Sequence, residues 1–157
     1  MHPAERLDAL LDQAVREACL LESALERESN ALAERDLDAL NQAVAEKHQV
    51  VQSLERFTRE QATLLGQGGF APDGPGMEAC LRDWDTEGLM RPVWERLQDV
   101  MARCRRLNQI NGGVVNMQQR QTEQAIHILR GEDGRTQLYD PRGQAVSAES
   151  SRHITKA

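Results

Sequence analysis

Aromatic residues, long apolar runs and paired cysteines are all scarce in this sequence. Phe, Trp and Tyr make up only 3% of the 157 residues, whereas charged residues make up 28%. That balance is typical of long amphipathic helices and not of a thick globular core. No apolar stretch approaches the ~20 residues needed to span a bilayer, and the charged N-terminus lacks the apolar core of a secretory signal. We therefore expect a cytoplasmic protein that does not insert into a membrane.

The residue patterns of catalytic and metal sites are missing as well. The three cysteines form no Cys-x-x-Cys pair and are scattered, so we expect buried thiols rather than disulfides. Glu123 and His127 stand four apart, whereas di-iron bundles use Glu-x-x-His. Neither Gly-x-Ser-x-Gly nor His-Glu-x-x-His occurs, and the glycine-rich run 66–76 lacks the Lys-Ser/Thr ending of a phosphate-binding loop. We predict no enzymatic activity, no cofactor and no metal site.

Acidic residues outnumber basic residues in the whole sequence, but the two are distributed unevenly along the chain. The net charge is −6 and the sequence pI is about 5.3, which argues against nucleic-acid binding. Residues 1–65 contain 7 Lys/Arg and 13 Asp/Glu (net −6), whereas residues 91–130 contain 7 and 3 (net +4). These opposite charges would either hold the chain's own helices together or attract an acidic partner.

Two heptad patterns predict an antiparallel hairpin of helices in the first part of the chain. The first helix runs from residue 4 to about 33, with Glu28 interrupting its apolar seam. Asp36 is a suitable N-cap for the second helix, whose weak seam positions are Lys47, Thr58 and Gln61. Because only a short bend separates the helices, they are expected to pack side by side. The seams are Leu7, Leu11, Ala14, Ala18, Leu21, Leu25 and Leu32, then Leu37, Leu40, Val44, Val51, Leu54 and Leu65.

The second half of the chain predicts a loop, a short helix and one long helix. The glycine- and proline-rich run 66–76 is expected to be irregular, and Met77–Trp84 to be helical. Trp84 and Trp94 are expected either to pack at this end of the bundle as a plug or to serve as an aromatic anchor for a partner. Residues 92–130 have no internal proline; Pro92 suits the first helical position and Gly131 a left-handed C-cap. A helix of that length is roughly 55–60 Å long, so the other helices must align with it.

These elements together predict an all-α fold. We expect an elongated antiparallel helical bundle of three long or medium helices plus one short helix over residues 1–131. Residues 132–157 are polar and serine-rich, which favours a flexible or weakly structured C-terminal tail. Within the tail, turn chemistry between Leu138-Tyr139 and Ala145-Val146 fits either a small hairpin or disorder.

The C-terminal half of the long helix is more apolar than a single seam requires. Its apolar residues cover roughly half the circumference, which fits either packing on two sides within the bundle or one side open to a partner helix. Gly112 and Gly113 each cost roughly 1 kcal/mol relative to alanine, so a close helix contact, a bend or a hinge is expected there. The candidate binding residues are Ile110, Val114, Val115, Met117, Ile126, Ile128 and Leu129.

In order and spacing, four short segments resemble the FlgN family of flagellar export chaperones. They are Asp36-Leu-Asp-Ala-Leu40, Leu107-Asn-Gln-Ile-Asn-Gly112, Ala125-Ile-His-Ile-Leu-Arg-Gly131 and Leu138-Tyr-Asp-Pro-Arg-Gly143. The resemblance implies a chaperone of the bacterial flagellar type III export system. Such a protein would bind the C-terminal amphipathic helices of the hook–filament junction proteins FlgK and FlgL, keep them unassembled and deliver them to the export apparatus. Leu138 and Tyr139 would contact the client or the export gate.

The alternative function is a coiled-coil adaptor or scaffold that dimerises through the long helix. An adaptor would need an unbroken heptad over residues 107–129, but Asn111, Gln118 and Gln121 interrupt it. A client-free chaperone would form at most a weak homodimer.

Overall fold

The computed structural model describes residues 2–129, 138–139 and 145–146, and side chains from residue 2 to 114. The predicted all-α class is confirmed, and the chain divides into two compact units, residues 1–107 and 108–157. The predicted boundary between bundle and tail at residues 131 and 132 stays a prediction. The elements are α1 Pro3–Glu34, α2 Leu37–Gln67, α3 Gly74–Trp84, α4 Met90–Leu129, β1 Leu138–Tyr139 and β2 Ala145–Val146.

The first helix, α1, is the central helix of unit 1. Every apolar residue predicted for its seam is buried, and Leu7, Leu11 and Ala18 are fully enclosed. These side chains meet apolar residues of α2, α3 and the first part of α4 in one core. Burial of apolar surface stabilises a fold by about 25 cal/mol per Å², so this fully enclosed seam contributes to the stability of the unit.

The turn between α1 and α2 is fixed by local hydrogen bonds. Arg35 adopts a left-handed conformation with φ of 55°, and the Asp36 N–H donates to the Ala31 carbonyl at 3.0 Å. The Asp36 side chain then accepts from the Ala39 N–H at 3.1 Å, as predicted for an N-cap. The chain therefore reverses within two residues, and α2 packs along α1 as the predicted hairpin.

The polar interruptions of the two seams meet each other inside this hairpin. Lys47 Nζ donates to Glu28 Oε2 at 2.9 Å, and the Glu28 side chain is only 7% exposed. Next to this pair, Arg27 forms an ion pair with Glu46 across the same two helices. The ion pair allows two charged side chains in an otherwise apolar interface, because each is the counter-ion of the other.

The connection from α2 to α3 is shorter than the predicted loop over residues 66–76. Helix α2 continues through Gln67 and α3 begins at Gly74, so only residues 68–73 are irregular. Glycine weakens a helix without preventing it, and Asp73 caps α3 by accepting from the Gly76 N–H at 2.7 Å. The indole of Trp84 meets the rings of Phe70 and His2 edge-on, and Trp84 and Trp94 both pack against the core of unit 1.

Helix α4 begins at Met90, two residues before the predicted start at Pro92. The reason is Asp85, whose carboxylate accepts from the N–H groups of Met90 and Arg91, both at 2.9 Å. Pro92 still lies in the first turn, where its missing N–H leaves no helical bond unmade. The predicted cap at Gly131 lies outside the described residues.

Within unit 1, α4 runs parallel to α1 and antiparallel to α2. Arg103 Nε donates to Glu22 Oε2 at 2.6 Å, and the Cys104 thiol lies 3.7 Å from the Ala18 carbonyl oxygen. Earlier along both helices, Val15 and Val93 line one groove. Both helices therefore run in the same direction, so α1, α2 and α4 follow an up-down-up order, with α3 in the connection between α2 and α4.

Candidate functional site

The candidate binding residues begin in unit 2, on the part of α4 that follows residue 107. Ile110 is 60% exposed and Val114 is 37% exposed, and because they stand four apart they form one row on the helix surface. Asn111, beside them in sequence, is buried. Val115, Met117, Ile126, Ile128 and Leu129 belong to α4, but their side chains lie outside the described part of the chain.

The glycine pair lies in the same stretch of α4. Gly112 and Gly113 are exposed, and a Cβ built at either position finds no atom within 4 Å in the described part of the chain. Among the explanations that the sequence offers, close helix contact therefore has no support here. A bend or hinge stays a prediction.

The two remaining candidate residues, Leu138 and Tyr139, form strand β1. It pairs antiparallel with β2, with Leu138 opposite Val146 and Tyr139 opposite Ala145. Of the two alternatives for this segment, the hairpin is the one observed.

A second apolar surface lies on α2, in unit 1, and the sequence pattern did not identify it. Leu37 is 72% exposed and Val51 is 37% exposed, while Leu40 and Val44 are half-buried. These positions were predicted as interior seam residues, and for Leu37 and Val51 that prediction is wrong. Neither residue belongs to the shared core of unit 1, so part of the α2 seam is left at the surface.

Two grooves flank α1 in unit 1. The groove between α1 and α4 has a volume of about 330 Å³, and the groove between α1 and α2 about 220 Å³. Both are open to solvent and mix apolar with charged walls, so neither resembles an enclosed site for a small ligand. The groove of larger volume, between α1 and α4, is lined by Asp12, Val15, Arg16, Pro92, Val93 and Arg96.

The electrostatics of unit 1 join acidic α1 to basic α4. The hydrogen bond from Arg103 lowers the pKa of the Glu22 carboxyl, against a smaller opposing effect of burial. The sequence left two explanations for the uneven charge, and this pair is an instance of the first, attraction between the chain's own helices. It does not bear on the second, steering of an acidic partner.

Among the side chains that the structure describes, those of residues 2–114, no group of three or more His, Cys, Asp or Glu is placed to hold a metal ion. Over the same part of the chain, no helix has both the length and the hydropathy that crossing a membrane requires. Cys80 and Cys104 are buried and Cys19 is half-buried, and all three are free thiols, as predicted.

Comparison with known proteins agrees with the fold and the resemblance. The structure is similar to a solved Pseudomonas aeruginosa protein described as a flagella synthesis protein FlgN, with 26% sequence identity and a TM-score of 0.64. The match covers 70% of this chain and 86% of that one. No curated protein matches the chain. The family model for FlgN protein matches residues 1–147, which is nearly the whole sequence. FlgN proteins are flagellar chaperones and not enzymes, and this chain belongs to the FlgN family.

Proposed function

We propose that this chain is a cytoplasmic export chaperone that binds the C-terminal amphipathic helices of FlgK and FlgL. It keeps these hook–filament junction proteins from assembling early and brings them to the flagellar type III export apparatus. Family membership supports the flagellar role. The client, the delivery step and the compartment are the proposed part.

The observation that carries the proposal is the exposed row on α4. Ile110 and Val114 are large apolar side chains left in water, on the helix whose sequence continues with further apolar residues through Leu129. Single exposed apolar residues are common, but a row at helical spacing suits an amphipathic partner helix. A subunit that polymerises through a terminal helix would expose such a helix while it is monomeric.

The expected mechanism is reversible masking of apolar surface. The client helix lies along α4 and buries its apolar face against Ile110, Val114 and the residues that follow. Full burial of one such side chain contributes about 1.5–3 kcal/mol, so a few contacts give useful affinity without irreversible binding. Gly112 and Gly113 let the second half of α4 adjust to clients of different shape.

The direct test is binding of a labelled FlgK C-terminal peptide to the full chain, measured by fluorescence anisotropy. Ile110→Asp and Val114→Asp should each weaken binding by about 10-fold or more, since each places a charge in an apolar contact. Leu20→Asp is the matched control, because Leu20 is similarly exposed at 55% but lies on α1. Equal affinity of all three variants and the unmodified chain would exclude this row as the client site.

The role of the tail is tested separately. Leu138→Ala with Tyr139→Ala should leave peptide affinity within about two-fold if these residues contact the export gate. The same double variant should then lose binding to the cytosolic part of the export gate. Weaker peptide binding would instead assign Leu138 and Tyr139 to the client.

A further inference from the structure

One groove of unit 1 contains none of the residues of the proposed client site. It lies between α1 and α4, and we call it the α1/α4 groove. Val15, which is 7% exposed, and the half-buried Val93 form its apolar floor, with Pro92 beside them. Its volume of about 330 Å³, open to solvent, suits one or two side chains of a bound peptide better than an enclosed small molecule.

Charged side chains line the same groove. They are Asp12 and Arg16 on α1 and Arg96 on α4, and all three are exposed. Two arginines and one aspartate give the walls a net charge of +1. The Arg16 guanidinium donates to the neutral amide oxygen of Gln13 at 2.8 Å. Among the side chains that the structure describes, none of the three charged groups belongs to an ion pair.

The same two helices do pair their charges elsewhere. Further along them, Arg103 on α4 donates to Glu22 on α1 at 2.6 Å. Asp12 and Arg96 also have opposite signs and face one groove, but they form no such bond. The arginines of the groove are therefore not used to hold α1 against α4. Each guanidinium keeps a fork of N–H donors, which matches the geometry of a carboxylate.

From the apolar floor and the unpaired arginines we infer that the α1/α4 groove docks an acidic peptide segment of a second partner protein. An aliphatic side chain of that segment contacts Val15 and Val93. The neighbouring Glu or Asp lies between Arg16 and Arg96, which approach it from different helices. A basic segment would be repelled by both guanidiniums. The groove shares no residue with the exposed row on α4, so this inference does not depend on the proposed client.

The first test is titration of the ¹⁵N-labelled full chain with the peptide acetyl-Glu-Glu-Leu-Glu-Glu-amide at low salt, followed by amide NMR shifts. Amides of residues 12–16 and 92–96 should shift and saturate with a Kd of about 0.1–1 mM, because the contact is small and exposed. Two control peptides, with Gln in place of Glu and with Ser in place of Leu, should each bind about 5-fold more weakly or worse.

The second test repeats the titration with variants that should act in opposite directions. Arg96→Gln should weaken binding about 2–5-fold, whereas Asp12→Asn should strengthen it about 2-fold by removing a like charge. A general loss of structure could not produce both signs. Arg105→Gln is the matched control and should leave the affinity unchanged. Arg105 is also exposed on α4, but it lies about 180° round the helix from Arg96 and does not line the groove.

Three results would overturn the inference. The first is equal binding of the Glu and Gln peptides, or an equal effect of Arg105→Gln and Arg96→Gln, because recognition would then not involve the charges of the groove. The second is a shift of the same amides when the chain is concentrated without peptide, because a second copy would then cover the groove. The third is displacement of the acidic peptide by the FlgK C-terminal peptide, which would make the groove part of the client site. A FlgK peptide that binds nowhere would count against the proposed function and leave this inference intact.

Discussion

At the scale of single residues, Glu28 and Lys47 show how a polar interruption can specify a pairing. Each alone breaks a leucine seam, but together they form one ion pair at 2.9 Å between α1 and α2. A one-turn slip of α2 along α1 would separate them and leave a charge in an apolar interface. The pair therefore favours one register of the hairpin over its neighbours.

Removing one member of this pair should cost more than removing both. Glu28→Ala removes the carboxylate to which Lys47 Nζ donates, in a site where the Lys47 side chain is 20% exposed, so we expect a loss of about 1–3 kcal/mol in the free energy of unfolding. Glu28→Leu with Lys47→Leu continues both seams and should match or exceed the stability of the unmodified chain. Urea unfolding followed by circular dichroism measures both. A double variant less stable than the single one would contradict the argument.

The cap of α4 predicts a pH dependence. Burial alone would raise the pKa of Asp85, but hydrogen bonds from the Met90, Arg91 and Leu89 N–H groups, with Arg91 nearby, lower it overall. The stabilisation is therefore complete above the usual carboxyl pKa of ~4 and is lost as the pH falls through the lower, folded value. At pH 7, Asp85→Ala should cost about 1 kcal/mol.

The measurement for Asp85 is urea unfolding at pH 7 and at successively lower pH. The difference between Asp85→Ala and the unmodified chain should shrink below pH ~4, since the protonated carboxyl is a poorer acceptor. Glu87→Ala is the control, because Glu87 is exposed in the turn two residues away. A difference that stays constant down to pH 2 would mean that Asp85 acts through packing and not through its charge.

At the scale of elements, the sequence predicted the positions of the helices better than it predicted which of their apolar residues are buried. Heptads and the Asp36 cap placed α1 and the start of α2 within one residue, because both are local features. The start of α4 depended on Asp85, seven residues before Pro92, which no local pattern shows. The exposure of Leu37 and Val51 depends on how four helices share one core, whereas a heptad pattern shows only that residues share a face.

The same limit applies to the candidate site. The excess of apolar residues on α4 pointed to Ile110 and Val114, and both are exposed, although their role stays a prediction. The exposure of Leu37 and Val51 on α2 was missed because their spacing is the spacing of a buried seam. One clue was available in advance, since Glu46 and Lys47 are the only charged residues among residues 39–54, fewer than the outer face of a hairpin normally carries.

The glycine pair of α4 offers a test at the same scale. Because a Cβ at Gly112 or Gly113 meets no described atom within 4 Å, Gly112→Ala with Gly113→Ala should strengthen the helix by about 1–2 kcal/mol. Hydrogen exchange should show slower amide exchange around residue 112. If the pair is a hinge for client binding, peptide affinity should fall in the same variant.

Gly76→Ala in α3 is the matched contrast. Its added Cβ would collide with the backbone carbonyl of Ala71, so this variant should lose stability where the α4 variant gains it. Faster or unchanged exchange around residue 112 in the double alanine variant would show that the glycines relieve a constraint other than flexibility.

At the scale of the whole molecule, α1 joins the other helices of unit 1 into one buried core. Cys80 on α3 and Cys104 on α4 both belong to that core. Burial raises the pKa of each thiol to about 11, with smaller contributions from Asp83 at Cys80 and Glu22 at Cys104. At pH 8 the reactive thiolate is therefore rare at both positions, and labelling requires that the site open.

These two thiols can report whether unit 1 opens as a whole or helix by helix. In a Cys19→Ser background, a maleimide at pH 8 should modify Cys80 and Cys104 at the same rate, because a shared core opens cooperatively. Mass spectrometry of the two peptides over time measures both rates in one sample, and added urea should accelerate them in parallel. Faster labelling of Cys104 than of Cys80 would contradict a single cooperative unit. It would mean that α4 detaches from α1 while α3 stays packed, which would make the first part of α4, and not only the stretch after residue 107, available to a partner.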